Sequence, residues 1–281
     1  MIAFARDAVR RLRGNPAAVA AAFVMSAIIL LTLLGPIFNP NDVRALDWLH
    51  LAARPALTNA HWFGTDRLGR DLFVRTLAGT RVSLAVGLVA SLISILVGVT
   101  YGAISGYIGG RTDHLMMRVV EILSGLPLIF FVILLTVFFG RSQSLLFVSI
   151  GAVGWLTMAR IVRGQALSLR RQDFIAAAIV SGAGTGRIIA KHIIPNLLGA
   201  VIVYATLTIP QIILLESFLS FLGLGIQEPG ASLGTLISEG VGEMEAAPWM
   251  ILVPGGFLAV LLLCLNIFGD GLRDALDVKE G

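Results

Sequence analysis

The chain has 281 residues, of which 57% are hydrophobic and 14% are charged. Its mean hydropathy of +0.89 lies far above that of a soluble domain, and apolar runs of about 20 residues recur along it. Such runs must be helices, because lipid offers the backbone no hydrogen-bond partner and the runs lack the alternation of barrel strands. The composition therefore predicts an all-α, polytopic membrane protein and excludes a water-soluble domain.

Basic charge and a single cysteine narrow the class further. The formal net charge is +4, but most of the arginines flank apolar runs. We interpret them as topology signals and predict no nucleic-acid partner. Cys264 lies inside an apolar run, and as the sole cysteine it excludes an intrachain disulfide.

The first predicted elements are a basic N-terminus at 1–16 and a transmembrane helix at 17–38. This run is too long for the apolar part of a typical signal peptide and lacks a small-residue cleavage site, which favours an uncleaved helix. A long polar loop follows at 39–80. With the N-terminus inside, this loop is periplasmic. Its arginines predict a folded or interfacial element, and Trp62 suits either a protein docking surface or the membrane surface.

Five further spans form a core at 82–269, followed by a tail at 270–281. The loop before the last span carries four glutamates and no Lys or Arg. With six spans both termini lie inside, because most of the Lys and Arg then fall on the cytoplasmic side. The predicted spans are 82–108, 114–139, 144–163, 196–222 and 249–269.

A glycine ladder marks the second span. Gly98, Gly102 and Gly106 are spaced four residues apart, which allows two helix backbones to approach closely. The spacing favours packing within one subunit over a dedicated dimer seam.

Motifs for enzyme chemistry are missing from the sequence. The four histidines, at 50, 61, 114 and 192, lack metal-ligand spacing, and there is no nucleophile elbow. The glycine-rich run at 182–186 lacks the Gly-Lys-Ser/Thr of a phosphate-binding loop. We therefore predict no catalytic residue, no metal site and no cofactor on this chain. If ATP drives transport, another polypeptide supplies the ATPase.

Ionisable residues inside spans are the default indicators of a transport path. Glu121 in the third span and Glu216 in the fifth are the candidates. Arg118 lies one turn before Glu121, so a plain ion pair is an alternative for that residue. Two such carboxylates could also serve a proton-coupled carrier, but the absence of an evident inverted repeat weighs against one.

A polar segment at 164–195 interrupts the apolar runs. Asp173 is predicted to cap a short helix that starts at Phe174 and continues through three alanines. Their small side chains allow a partner surface to approach closely.

The second half of this segment predicts a turn and a return to the membrane. Gly182 permits the turn, residues 187–192 form a basic helical turn, and Pro195 precedes the next span. From the residues alone two interpretations stay open. The segment is either a docking element for a partner or an amphipathic helix on an anionic membrane surface.

The segment resembles the cytoplasmic signature of the permeases of bacterial ABC importers. That signature reads Glu-Ala-Ala, three residues, Gly, nine residues and Ile-x-Leu-Pro, and its register here falls on Ala176, Gly182 and Pro195. Further motifs along the chain are similar to the C-type permease of oligopeptide and dipeptide importers, most closely the oligopeptide permease. They are HWFGTDRLGRDLF at 61–73, SFLGLGIQEP at 220–229 and GDGLRDALD at 269–277.

The resemblance implies a type I ABC importer permease fold in the bacterial cytoplasmic membrane, surrounded by lipid. It also implies a second homologous permease, two cytoplasmic ATPase subunits that hold ATP and Mg²⁺, and an extracytoplasmic peptide-binding protein. Residues 173–191 would be the coupling helix that docks into the ATPase and drives alternating access. The predicted coupling residues are Asp173, Ala176, Ala177, Ala178, Gly182, Arg187, His192 and Pro195.

Ala176 departs from the signature, which has Glu at this position. With Asp173 as the cap, position 176 is the N3 site of a capping box, so alanine loses a reciprocal bond worth about 0.5–1 kcal/mol. We therefore expect close packing at Ala177, Ala178 and Gly182, rather than a charge pair, to transmit motion. Oligopeptides or dipeptides are the expected cargo. Nickel, glutathione and opines are alternatives, because sibling permeases share these motifs.

Overall fold

The computed structural model describes residues 9–39, 41–56, 61–140 and 142–276, so the ends of the predicted N-terminus and tail lie outside it. Within these ranges the chain consists of helices and loops, with one isolated β-bridge between Thr65 and Asp71. Its helices are α1 Pro16–Phe38, α2 Leu72–Ile108, α3 Gly110–Ser124, α4 Leu128–Phe139, α5 Gln143–Leu169, α6 Asp173–Val180, α7 Thr185–Ile188, α8 Ile194–Phe221, α9 Leu233–Val241 and α10 Trp249–Leu276. A π-helical turn at Ile189–Ile193 joins α7 to α8.

Five helices in the described ranges are long and apolar enough to cross a membrane, or six if the bent pair α3 and α4 counts as one span. This confirms the all-α, polytopic architecture. The predicted third span, 114–139, is present as two helices, α3 and α4, which meet at a bend of 84°. Pro127 causes the break, since proline lacks an amide hydrogen and disfavours helical geometry at Leu126 before it.

Three span boundaries also differ from the prediction, and one of them is the end of α5, which runs on to Leu169 instead of 163. α2 begins at Leu72 instead of 82, because the Asp71 carboxylate caps it by accepting a 2.9 Å hydrogen bond from the Val74 amide. α10 runs on to Leu276, so most of the predicted tail is helix. Gly271 permits this, because a Cβ there would lie 2.5 Å from the Ala18 Cβ of α1.

The seam between α2 and α5 is the most extensive helix contact in the described chain. A Cβ on Gly102 would lie 2.5 Å from the Ala159 carbonyl oxygen, and one on Gly106 would lie 2.6 Å from that of Arg163. Gly98 meets α5 in the same way. Only glycine allows backbones to come this close, so the glycine ladder packs helices within the subunit, as the sequence favoured.

Replacing a seam glycine should destabilise the fold. Gly102→Ala places a methyl group against the α5 backbone, and overpacking of this kind costs about 1–3 kcal/mol. We expect a lower melting temperature of the purified protein in detergent. Gly164→Ala in α5 is the control, since a Cβ there meets nothing within 4 Å and alanine favours helix. Equal melting temperatures for the two variants would contradict the seam.

Candidate functional site

α6 ends in a turn that requires glycine. Gly182 has φ of +79°, its amide donates to the Ile179 carbonyl at 2.9 Å, and the Ala183 amide donates to the Ala178 carbonyl at 3.0 Å. These two bonds define the Schellman motif. A residue with a side chain enters this left-handed conformation at a cost of about 1–2 kcal/mol. The turn therefore explains why glycine stands at this position of the signature.

The predicted cap of α6 is wrong by one residue. α6 begins at Asp173, and the N-cap is Gln172, whose carbonyl already accepts the Ala176 amide at 3.4 Å. Asp173 is thus the first helical residue, where its charge suits the helix dipole. Position N3 is Ile175, so the capping-box explanation of Ala176 fails.

α6 has one buried and one exposed face. Ile175 is 1% exposed, and Ala178 lies half-buried beside the same core cluster. The opposite face is open to solvent, and Val180, at 88% exposure, projects furthest from it. We call this face the α6 ridge; it consists of Asp173, Ala176, Ala177 and Val180, at helical positions i, i+3, i+4 and i+7.

One coupling prediction changes in view of this geometry. Ala178 contacts the chain's own core rather than solvent, whereas Ala176 and Ala177 are exposed. Val180 was missed by sequence reasoning, although extending the helical period one turn beyond Ala176 and Ala177 would have found it.

The buried face of α6 joins the α2–α5 seam. One cluster of apolar side chains, which we call the anchor cluster, contains residues of α2, α5, α6, α7, the π-helical turn and α8. Because these side chains are mutually packed, α6 cannot shift without displacing its neighbours. The cluster comprises Val99, Ala103, Met158, Val162, Ala166, Ile175, Ile188, Ile193, Leu197 and Val201.

The remaining predicted coupling residues lie on a helix that continues into α8. Arg187 is exposed in α7, and His192 is half-buried in the π-helical turn. Pro195 sits in the first turn of α8 without breaking the helix, because the wider turn before it accommodates the missing amide hydrogen. The Asn196 side chain donates to the His192 carbonyl at 2.6 Å. The predicted helical turn at 187–192 is therefore continuous with the next span.

A partly buried ion pair ties α3 to α5 near the same end. Arg163 Nε and Nη2 each lie 2.5 Å from one carboxylate oxygen of Asp113, and the Ser105 hydroxyl donates to Asp113 at 2.6 Å. Two parallel bonds of this kind fix orientation as well as distance. Sequence reasoning missed the pair, although both residues stand near the ends of predicted spans.

An uncharged cavity of about 340 Å³ lies between α2, α5 and α8. Apolar side chains form much of its wall. The residues around it that can form hydrogen bonds are Ser91, Ser94, Thr157, Tyr204, Thr208 and Gln211. Hydroxyl and amide groups of this kind can form hydrogen bonds with a polar ligand and do not discriminate between ligands of positive and negative charge.

Neither predicted path carboxylate lines this cavity. Glu121 is 61% exposed on α3 and lies 3.3 Å from Arg118, which is the ion pair offered as its alternative. Glu216 is fully buried in α8, where it accepts hydrogen bonds from the Ser83 and Ser220 hydroxyls at 2.9 and 2.7 Å. The Ser83 bond ties α8 to α2. The role of the two carboxylates in transport stays a prediction.

The arginine-rich loop and the glutamate-rich loop meet at the other end of the bundle. Arg75, buried in the first turn of α2, contacts Asp66 and lies 2.7 Å from Glu239 of α9. Arg70 lies 2.6 Å from Asp66 and 3.1 Å from Glu228. Burial alone would lower the pKa of Arg70, but the hydrogen bond and charge of Asp66, the charge of Glu239 and the hydrogen bond to Glu228 raise it. The loop is therefore a folded element, as its composition predicted.

Two family models match the chain. The "Binding-protein-dependent transport system inner membrane component" covers residues 98–279, and the "N-terminal TM domain of oligopeptide transport permease C" covers residues 3–55. The chain belongs to this family of inner-membrane transport components. Membership confirms the resemblance read from the coupling segment and the flanking motifs, and it makes the chain a multi-pass permease of the ABC importer class.

Named relatives cover nearly the whole permease. The chain is 53% identical to the oligopeptide transport system permease protein OppC of Haemophilus influenzae, over 98% of this chain and 88% of the relative. It is 54% identical to OppC of Escherichia coli K12, over 98% and 91%. Identity to the dipeptide transport system permease protein DppC of Bacillus subtilis is 44%, over 99% and 87%.

A solved structure shares the fold. It is the inward-facing MetNI methionine ABC transporter, with a TM-score of 0.56 and 17% identity over 72% of this permease and 96% of that chain. At this identity the likeness shows the fold alone, which is that of an ABC importer permease.

Two neighbouring glycines test the turn after α6. Gly182→Ala forces a side chain into the left-handed region, and a loss of about 1–2 kcal/mol should accelerate amide hydrogen exchange in α6 about 5–30-fold. Gly184→Ala is the matched control, because Gly184 has φ of −70° and equally open surroundings. Similar exchange in both variants, measured by mass spectrometry, would contradict the requirement for glycine.

Proposed function

We propose that this chain is a permease subunit of an ATP-driven importer that moves oligopeptides or dipeptides across the bacterial cytoplasmic membrane by alternating access. It pairs with a second, homologous permease, receives peptide from an extracytoplasmic binding protein and is coupled to two ATPase subunits through α6. Both termini and α6 are cytoplasmic. The chain is not itself an enzyme, and ATP and Mg²⁺ bind to the partner ATPases. The observation that carries the proposal is the exposed ridge of a firmly anchored α6.

The character of the α6 ridge supports docking to a protein. Val180 exposes an apolar side chain outside the spans, and Ala176 and Ala177 leave room for a groove to close around the helix. A helix lying on a membrane would turn its apolar face to lipid. Here Ile175 faces the core while Phe174 and Ile179 are exposed, and it is Asp173 on the ridge that would meet anionic lipid unfavourably.

Packing of side chains transmits the movement of α6 to the transmembrane helices. Closure of the two ATPases moves α6, and the anchor cluster carries that displacement to the α2–α5 seam and to Leu197 at the start of α8. The cavity lies between the seam and α8, so a relative movement of the two opens or closes it. Pro210 lies within α8 beside the cavity, where it weakens the helix and provides a bending point.

The cavity suits a cargo of variable side chains. Its hydrogen-bonding groups are uncharged, so peptides of either sign can pass, and the bonds would go to the peptide backbone, which all cargoes share. The names of the OppC and DppC relatives support the same cargo class. The second permease would complete the cavity.

A charge on the ridge should uncouple the importer. Val180→Asp places a carboxylate at the most exposed apolar position of α6, so we expect the ATPases to be lost on purification in detergent and peptide uptake to fall with them. Val9→Asp introduces the same charge at an exposed valine of the N-terminus, outside the coupling segment, and should leave both intact. Retention of the ATPases and of uptake by Val180→Asp would contradict docking through the ridge.

Loss of a cavity amide should weaken peptide uptake without affecting assembly. Gln211→Leu removes one hydrogen-bonding group worth about 0.5–1.5 kcal/mol, which predicts a rise in the KM for peptide of about 2–10-fold in proteoliposomes. Leu214→Ala, at an exposed residue of α8 outside the cavity, is the control. An unchanged KM in Gln211→Leu would show that the α8 wall of the cavity does not bind the peptide.

A further inference from the structure

The loop before α2 gathers two histidines and two aspartates from three stretches of sequence. The buried His61 ring lies between two carboxylates, with Nδ1 2.8 Å from Asp71 Oδ2 and Nε2 3.3 Å from Asp47 Oδ2. The same Asp47 oxygen lies 2.8 Å from His50 Nδ1. Sequence reasoning treated the histidines as scattered, because no short motif contains these residues; folding brings the two ring centres to 5.5 Å.

The donor atoms have the spacing of a metal site. One ligand atom each from Asp47, His50 and His61 lies within 4.8 Å of the other two. Bonds of about 2.0–2.2 Å in a tetrahedral zinc site place donors about 3.3–3.5 Å apart. The 3.3 Å between His61 and Asp47 matches this spacing. The His50–Asp47 contact is shorter, at 2.8 Å, and the ligand atoms of the two histidines lie within 4.8 Å of each other, so the His50 side chain must rotate to complete the site.

The surroundings of His61 strengthen this assignment. Ligating histidines commonly donate their second ring N–H to a carboxylate, which fixes the tautomer and orients the other nitrogen toward the metal. Asp71 stands in that position, and its other oxygen caps α2 by accepting from the Val74 amide. The orienting carboxylate is therefore itself fixed by the start of a long helix.

We propose that Asp47, His50 and His61 bind one Zn²⁺ ion, with Asp71 as the positioning carboxylate. Two imidazoles and one carboxylate suit zinc better than the hard cations Mg²⁺ and Ca²⁺, which prefer oxygen ligands. Bound metal would tie residues 47–50 to the start of α2. The Asp47 and His50 side chains are 36% and 40% exposed, which leaves a fourth coordination position open to water.

The site is tested on the complete importer. The complex is purified in nanodiscs after treatment with a chelator and titrated with Zn²⁺ by calorimetry, and bound metal is counted by mass spectrometry. We expect one more zinc ion per complex in the wild type than in His50→Ala, a variant of a half-exposed side chain that should fold normally. His114→Ala, at an exposed histidine of α3, is the control and should bind as the wild type does.

The positioning role has its own variant. Asp71→Asn can still cap α2, because asparagine is an equally good cap, but it is a poorer partner for the His61 N–H. It should keep the stoichiometry and weaken zinc binding about 10–100-fold. Equal zinc content and affinity in the wild type and His50→Ala would overturn the site. Preference for Mg²⁺ or Ca²⁺ over zinc would overturn its assignment as well.

Discussion

Close approach of the α2 and α5 backbones is the constraint on which the rest of the fold depends. In lipid the hydrophobic effect does not drive helices together, so association relies on packing at surfaces of small residues. Gly98, Gly102 and Gly106 supply that surface, and no larger side chain fits against α5. The anchor cluster lies at one end of this seam, and the cavity opens along its side toward α8.

Ion pairs lie near both ends of α2. Asp113 with Arg163 holds α3 to α5, and Arg75 with Asp66 and Glu239 holds α2 to α9. Removing charge from water is costly, so a buried ion is tolerated where its partner and geometry are fixed. These ion pairs therefore set which helices meet and in which register, while glycine contacts determine how closely they pack.

The sequence predicted the elements whose signal is local. Runs of apolar residues predicted the spans, and the glycine ladder predicted close packing within the subunit. The signature predicted the glycine at Gly182. The start of α2 was predicted ten residues too late, because Arg75 and Arg81 lower the mean hydropathy of this stretch. In the fold Arg75 pairs with acids, and Arg81 Nε donates to the Thr32 carbonyl at 2.6 Å.

Contacts between distant segments could not be predicted from the sequence. Asp113 and Arg163, and His50 and His61, carry no sign of each other in any short window. The cap of α6 was misplaced for a different reason: aspartate suits both the cap and the first helical position, and only the backbone bond from Ala176 to Gln172 separates the two.

The central claim is that α6 and the α2–α5 seam move as one body. Spin labels at Ile179 on α6 and Ile108 at the end of α2, both exposed, test it by distance measurement in the assembled importer. Cys264, the only cysteine of this chain, is replaced by serine, and the partner subunits are cysteine-free. The account predicts the same distance distribution without nucleotide and with ATP trapped. A shift of that distribution between the two states would contradict it.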